Sequence, residues 1–206
     1  MPTLNSLLSA IVADVDLHAR WLNTFSYLEY IGFRKIVKSQ HSSAMDFETL
    51  SHAVEEGRHA LLLKKLAMNT GGDRFEHYTA ATMLCHEQAE NYFQSLDSFC
   101  ETKMETMAPV RRIRLTYLYV TWLIEIRALT VYDYYQAALN LKGERLPLGG
   151  LLAEEDRHLA AVERELKVSD PLFETRVVEL KAFEQNLYQN YVSALANEIS
   201  TKTVHA

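Results

Sequence analysis

The chain has 206 residues, 48% of them hydrophobic and 23% charged, with a formal net charge of −6. This length suits one domain over 1–206 with a real core, and the acidic balance lacks the basic footprint of a nucleic-acid binder. Only four prolines and seven glycines interrupt it, and the long periodic apolar segments between them predict an all-α fold.

Five long helices are expected. The first runs from about Ile11 to Val37 and carries Trp21, Leu22, Phe25, Leu28, Phe33 and Ile36 around Glu29. A polar turn at Ser39-Gln40-His41-Ser42-Ser43 follows, with Ser43 and Asp46 as capping residues for a second helix that ends near Ala67, before Asn69-Thr70-Gly71-Gly72. A third helix is expected over Asp73 to Met104, and a fourth from Pro109 to about Leu141. The fourth is apolar nearly all round its middle, which predicts a central position. A further helical segment follows Lys142-Gly143-Glu144-Arg145, and Asp170-Pro171 opens a last amphipathic helix to about Ile199. Residues 200–206 read as a frayed tail.

Cys85 and Cys100 lie 15 residues apart in the expected third helix, roughly 22 Å at 1.5 Å per residue, too far for a disulfide. Reduced cysteines suit a cytoplasmic protein, and without a Cys-x-x-Cys pair no thiolate iron or zinc centre is encoded. No signal peptide is expected, and the apolar stretch Leu115 to Ile126 is too short and too interrupted to cross a membrane.

The most informative pattern is a repeat. Glu55-Glu56-Gly57-Arg58-His59 and Glu154-Glu155-Asp156-Arg157-His158 are near-copies, each holding a glutamate three residues before a histidine. On a helix those positions share a face, so a carboxylate and an imidazole can reach one ion together. Each copy also has a glutamate upstream on an apolar stretch, Glu29 and Glu125. Carboxylates beside Leu28, Tyr30, Ile124 and Ile126 would be costly to bury unpaired, and a pair of cations would offset that cost. In an antiparallel hairpin, level residues are equidistant from the turn. The midpoint of 29 and 56 is 42.5, inside the polar turn; the midpoint of 125 and 155 is 140, ahead of the turn signals at Gly143 to Gly150. The second half therefore needs a connection that climbs back along the bundle, or an early helix end.

These residues resemble the ferritin-like di-iron carboxylate superfamily, in which one glutamate from each of two helices and a Glu-x-x-His from each of two others hold two metals in a four-helix bundle. The resemblance implies Glu29, Glu56, His59, Glu125, Glu155 and His158 as ligands of two iron ions, with manganese as the alternative metal. Glu56 and Glu155 would bridge the metals as the catalytic carboxylates, and Glu29 and Glu125 would be terminal. The sequence acidic-Glu-x-Arg-His is similar to that of bacterial multicomponent monooxygenases. It implies that Glu154 orients His59 and Glu55 orients His158, with Arg58 and Arg157 balancing those carboxylates. The Asp73–Met104 helix would be the crossover between halves.

The function implied is that of an oxidoreductase, a non-haem di-iron oxidase or oxygenase that activates dioxygen to oxidise a small apolar substrate. A reductase or ferredoxin would donate electrons, and a homodimer is compatible. Phe25, Phe33, Thr121 and Leu129 flank the upstream glutamates and are candidates for lining the substrate pocket. The alternatives are iron handling or peroxide reduction of the bacterioferritin or rubrerythrin type, and a metal-free helical binding module. His52 reads as an ordinary helix-surface histidine, Trp21 and Trp122 as core residues, and either Tyr132 or Asp133 as a hydrogen-bond donor near the site.

Overall fold

The computed structural model describes residues 3–39 and 45–204. They form seven α-helices with no strand among them: α1 (Leu4–Ala13), α2 (Val15–Ser39), α3 (Phe47–Gly71), α4 (His86–Lys103), α5 (Pro109–Lys142), α6 (Gly149–Ser169) and α7 (Phe173–Val204). The fold is all-α, as the periodicity predicts. Among the described residues no helix is long and apolar enough to cross a membrane.

Three boundaries differ from the sequence expectation. The N-terminal helix begins earlier and is broken at Asp14, whose backbone is extended. Its carboxylate accepts the Leu17 N–H at 2.9 Å, so an N-cap inside the apolar pattern restarts the helix as α2. The segment 73–85 is not α-helical. Its carbonyls are taken by side chains of α2 and α3: Lys64 bonds Phe75, Asn23 bonds His77 and Thr82, and Arg20 bonds Met83. Cys85 sits at the start of α4 with φ 49 and donates its N–H to Glu198. Tertiary partners thus replace the helical ladder there. At the other end, α7 continues through Val204, so 200–204 is helix rather than tail.

Antiparallel α2 and α3 are tied by Ser26 Oγ donating to the Ala60 carbonyl at 2.6 Å, which puts Glu29 and Glu56 level. Asp46 caps α3, accepting from the Thr49 N–H at 2.8 Å; the expected turn at 39–43, with Ser43, lies mostly outside the described residues. The second hairpin, α5 and α6, is held by paired bonds from Arg114 to Glu165 at 2.7 and 2.6 Å. Helix α5 runs 17 residues beyond Glu125, whereas α6 starts only six residues before Glu155. The difference, about 16 Å of helix, is spanned by residues 143–148, so the connection does climb back. Gly149 and Gly150 merely open α6, with open space where their Cβ atoms would be.

Helices α4 and α7 cross the α2/α5 face. Tyr27 bonds Glu90 and Lys35 pairs with Asp97, Arg127 on α5 grips Glu184 on α7 at 2.8 and 2.7 Å, and Phe99 stacks on Phe183. Buried side chains form two clusters, one around Trp21, Tyr132, Tyr135 and Leu195 and one around Tyr119, Trp122, Leu166 and Leu180. Each such side chain contributes on the order of 1.5–3 kcal/mol by burial. Between the two clusters lies a group of ionisable side chains.

Candidate metal centre

All six sequence-derived ligand candidates converge between the hairpins. Two overlapping groups have ligand atoms within 4.8 Å of one another: Glu29, Glu56, His59 and Glu155, and His52, Glu56, Glu125 and His158. Glu56 belongs to both groups, whereas Glu155, the other carboxylate expected to bridge, belongs only to the first. Exposure is 8% for Glu56, 3% for Glu125 and 2% for Glu155. With the partly buried Glu29 beside them, four carboxylates this close cannot all stay ionised without cations or protons to balance them.

The histidines are aimed from outside the cluster. His59 Nε2 lies 2.7 Å from Glu154 and His158 Nε2 lies 2.6 Å from Glu55, each bond crossing to the opposite hairpin. Arg58 donates two bonds of 2.9 Å to Glu154, and Arg157 donates one of 3.0 Å to Glu55. With Nε2–H given to a carboxylate, each imidazole turns its Nδ1 inward, where a lone pair would face the cluster if the ring were neutral. His59 Nδ1, His158 Nδ1 and Glu155 Oε1 are all buried without a hydrogen-bond partner, although His59 Nδ1 is only 2.8 Å from Glu155 Oε1. A lone pair facing a carboxylate oxygen at that separation is repulsive unless a positive charge lies with them. A cation fits these atoms.

In the protein alone, protons must supply that charge. Burial pushes Glu29 up to about 8, and the charge of Glu56 adds to it. Burial and then Glu155 do the same for Glu56, also to about 8, and Glu125 is raised well above the carboxylate range by burial and Glu155. Burial pulls the His59 imidazole down, but the carboxylates of Glu155 and Glu29 outweigh it and carry it up to about 11. Burial opposes ionisation of Glu155 too, yet the facing His158 and His59 hold it well below the usual range.

His52 is not a surface residue. It is 7% exposed, and its Nε2 lies 3.2 Å from Glu56 and 3.4 Å from Glu125. Its Nδ1 meets the Tyr117 hydroxyl at 3.0 Å. Burial, and next the neighbouring His158, lower it to about 3, so it is a neutral imidazole. The signal was present in the sequence: His52 stands four residues before Glu56 and seven before His59, on the same helical face. Gly32 was also missed. A Cβ there would lie 2.5 Å from Glu56 Oε2, so its bare backbone makes room for the shared carboxylate. Of the two donors considered near the site, Tyr132 bonds Glu29 at 2.9 Å, whereas Asp133 is exposed.

An apolar cavity opens on the α2/α5 side of the carboxylates. Phe25 and Thr121 line it, but Phe33 and Leu129 do not. Helical phase explains the split. Positions four before and three after each upstream glutamate fall on one side of it, as do Gly32 and Ala128, while positions four after turn away. Phe33 instead faces Gly57 on α3, 3.6 Å from where its Cβ would be. Trp21 lines the cavity from the core, and Trp122 is buried with its indole N–H bonded to Glu163 at 3.2 Å.

No family model, curated protein or solved structure matches the chain. The chemistry of the site therefore rests on the geometry of its own residues.

Proposed function

We propose that the chain is a di-iron carboxylate oxidoreductase of ferritin-like architecture, with α2, α3, α5 and α6 as the metal-binding bundle, that activates dioxygen to oxidise an apolar organic substrate. The observation that carries this reading is the convergence of two inward-facing Nδ1 atoms on four carboxylates, of which Glu56, Glu125 and Glu155 are buried and Glu29 is partly buried. Glu29, Glu56, His59 and Glu155 would hold one ion, and His52, Glu56, Glu125 and His158 the other. Nitrogen and carboxylate oxygen donors without a thiolate suit iron or manganese.

When bound, two ferrous ions supply electrons for dioxygen reduction. The chain contributes the rest. Glu154 and Glu55 fix the histidine tautomers, and the Arg58 and Arg157 side chains close the α3/α6 side over them. The cavity on the opposite side brings Phe25, Leu28 and Ile124 against Glu29 and Glu125, which gives an apolar substrate a place to lie and limits water around the reacting groups. This cavity favours an enzyme over an iron store, because moving hydrated ions needs no apolar lining.

Metal analysis after iron-replete expression, with Mössbauer spectroscopy of the anaerobically reduced protein before and after exposure to dioxygen, tests the reading. Two iron ions per chain and their oxidation by dioxygen are expected, with Glu56→Ala losing at least one ion. Fewer than one ion per chain, or two that stay ferrous in dioxygen, would overturn it.

A further inference from the structure

The residues that line the cavity beside the carboxylates extend lengthwise along two helices. They follow α2 from Trp21 to Ile36 and α5 from Tyr117 to Val131, about 15 residues or roughly 22 Å of each helix. Glu29 and Glu125 stand near the middle of the two stretches. Helices α4 and α7 roof the cavity with Ala89, Tyr92, Tyr188 and Val192.

The two ends differ. One closes against Trp21 and Leu195, which are 1% and 0% exposed. The other reaches Lys35, whose side chain remains 24% exposed and pairs with Asp97. The second cation on the lining, Arg127, is held by two bonds to Glu184. Lys35 is therefore the cation better placed to share an incoming anion.

The geometry points to a binding site for an unbranched aliphatic chain with a carboxylate head, the head at Lys35 and the tail against Trp21 and Leu195. A compact substrate would leave most of the apolar length empty, and a branched or polycyclic one would not follow a single line between two helices. The interior of the chain, not its end, then lies against Glu29 and Glu125. This deepens the oxidase reading and rests on it only for what happens to the chain, since binding itself uses the apolar lining and Lys35.

Trp21 provides a direct probe. In a Trp122→Phe background it is the sole tryptophan, and the protein can be kept in chelator so that binding is measured without metal. Stearate brominated near its methyl end is expected to quench Trp21 saturably, and stearate brominated beside its carboxylate to quench it at least threefold less. Lys35→Ala should weaken stearate binding by about tenfold, the scale of one charge-assisted contact, and leave stearyl alcohol unchanged. Equal quenching by the two isomers, no saturable quenching, or an unaltered stearate affinity in Lys35→Ala would overturn the inference. Metal content of the protein as purified after iron-replete expression, before chelator is added, separates the two readings. Iron without chain binding removes only the groove proposal, whereas chain binding without iron removes only the oxidase.

Discussion

His59 and Glu154 are 95 residues apart in sequence, and their side chains meet at 2.7 Å across the two hairpins. Because the mirror contact joins His158 to Glu55, each Glu-Glu-x-Arg-His motif completes the other. The first glutamate of one copy orients the histidine of the opposite copy, while the second faces the cluster.

Removing that orientation should cost metal affinity without unfolding the chain. Glu154→Ala is expected to weaken iron binding by about 10–100-fold, the usual scale for such outer partners, while Glu154→Gln, still an acceptor, should lose less. A competitive chelator titration compares them, and equal losses in both variants would show that the carboxylate does not act through His59.

His52→Ala should reduce the bound metal from two ions per chain to one. His52 is a member of only the second ligand group, and Glu29, Glu56, His59 and Glu155 survive the change. Tyr117→Phe, which removes the hydroxyl at 3.0 Å from His52 Nδ1, should lower affinity for that ion while leaving it measurable. Full occupancy in His52→Ala by elemental analysis would return His52 to a purely packing role.

Gly32→Ala separates folding from metal binding. The new Cβ meets only the end of the Glu56 side chain, so the helix gains propensity, up to about 1 kcal/mol, while the shared carboxylate must shift. The metal-free variant should melt no lower than the parent, and its iron affinity should fall at least about tenfold, the effect of a 1.4 kcal/mol disturbance. A lower melting temperature with unchanged iron affinity would contradict both halves of the argument.

The metal-free protein should lose stability as pH rises. Glu29 and Glu56 are raised from 4.5 to about 8 on folding, and His59 from 6.5 to about 11. Over pH 5 to 8 the folded state thus binds more protons than the unfolded chain, which gives stability a negative slope with pH. Metal ions displace those protons and should flatten the slope. At a free metal concentration of about 100 Kd, binding adds about 2.7 kcal/mol, or roughly 5–10 °C in melting temperature for a chain of this size. Thermal melts with and without chelator across that range check both effects.

The fold class, the main helices and six members of the carboxylate–histidine cluster were legible in the sequence because each depends on local spacing. A period of 3.6 residues puts Glu56 and His59 on one face wherever the helix lies, and a hairpin midpoint sets Glu29 opposite Glu56 from one turn signal. Residues 73–85 depart from the expectation for the same reason, since their apolar pattern allows a helix while Lys64, Asn23 and Arg20 from distant helices divert their carbonyls. What required the tertiary structure was everything set by helix rotation and the meeting of distant segments. That rotation turns His52 inward, fits Gly32 under Glu56, and sends Phe33 toward α3 while Phe25 faces the cavity. Spacing along one helix fixes relative angles, but only packing against the other helices fixes which angle faces the centre.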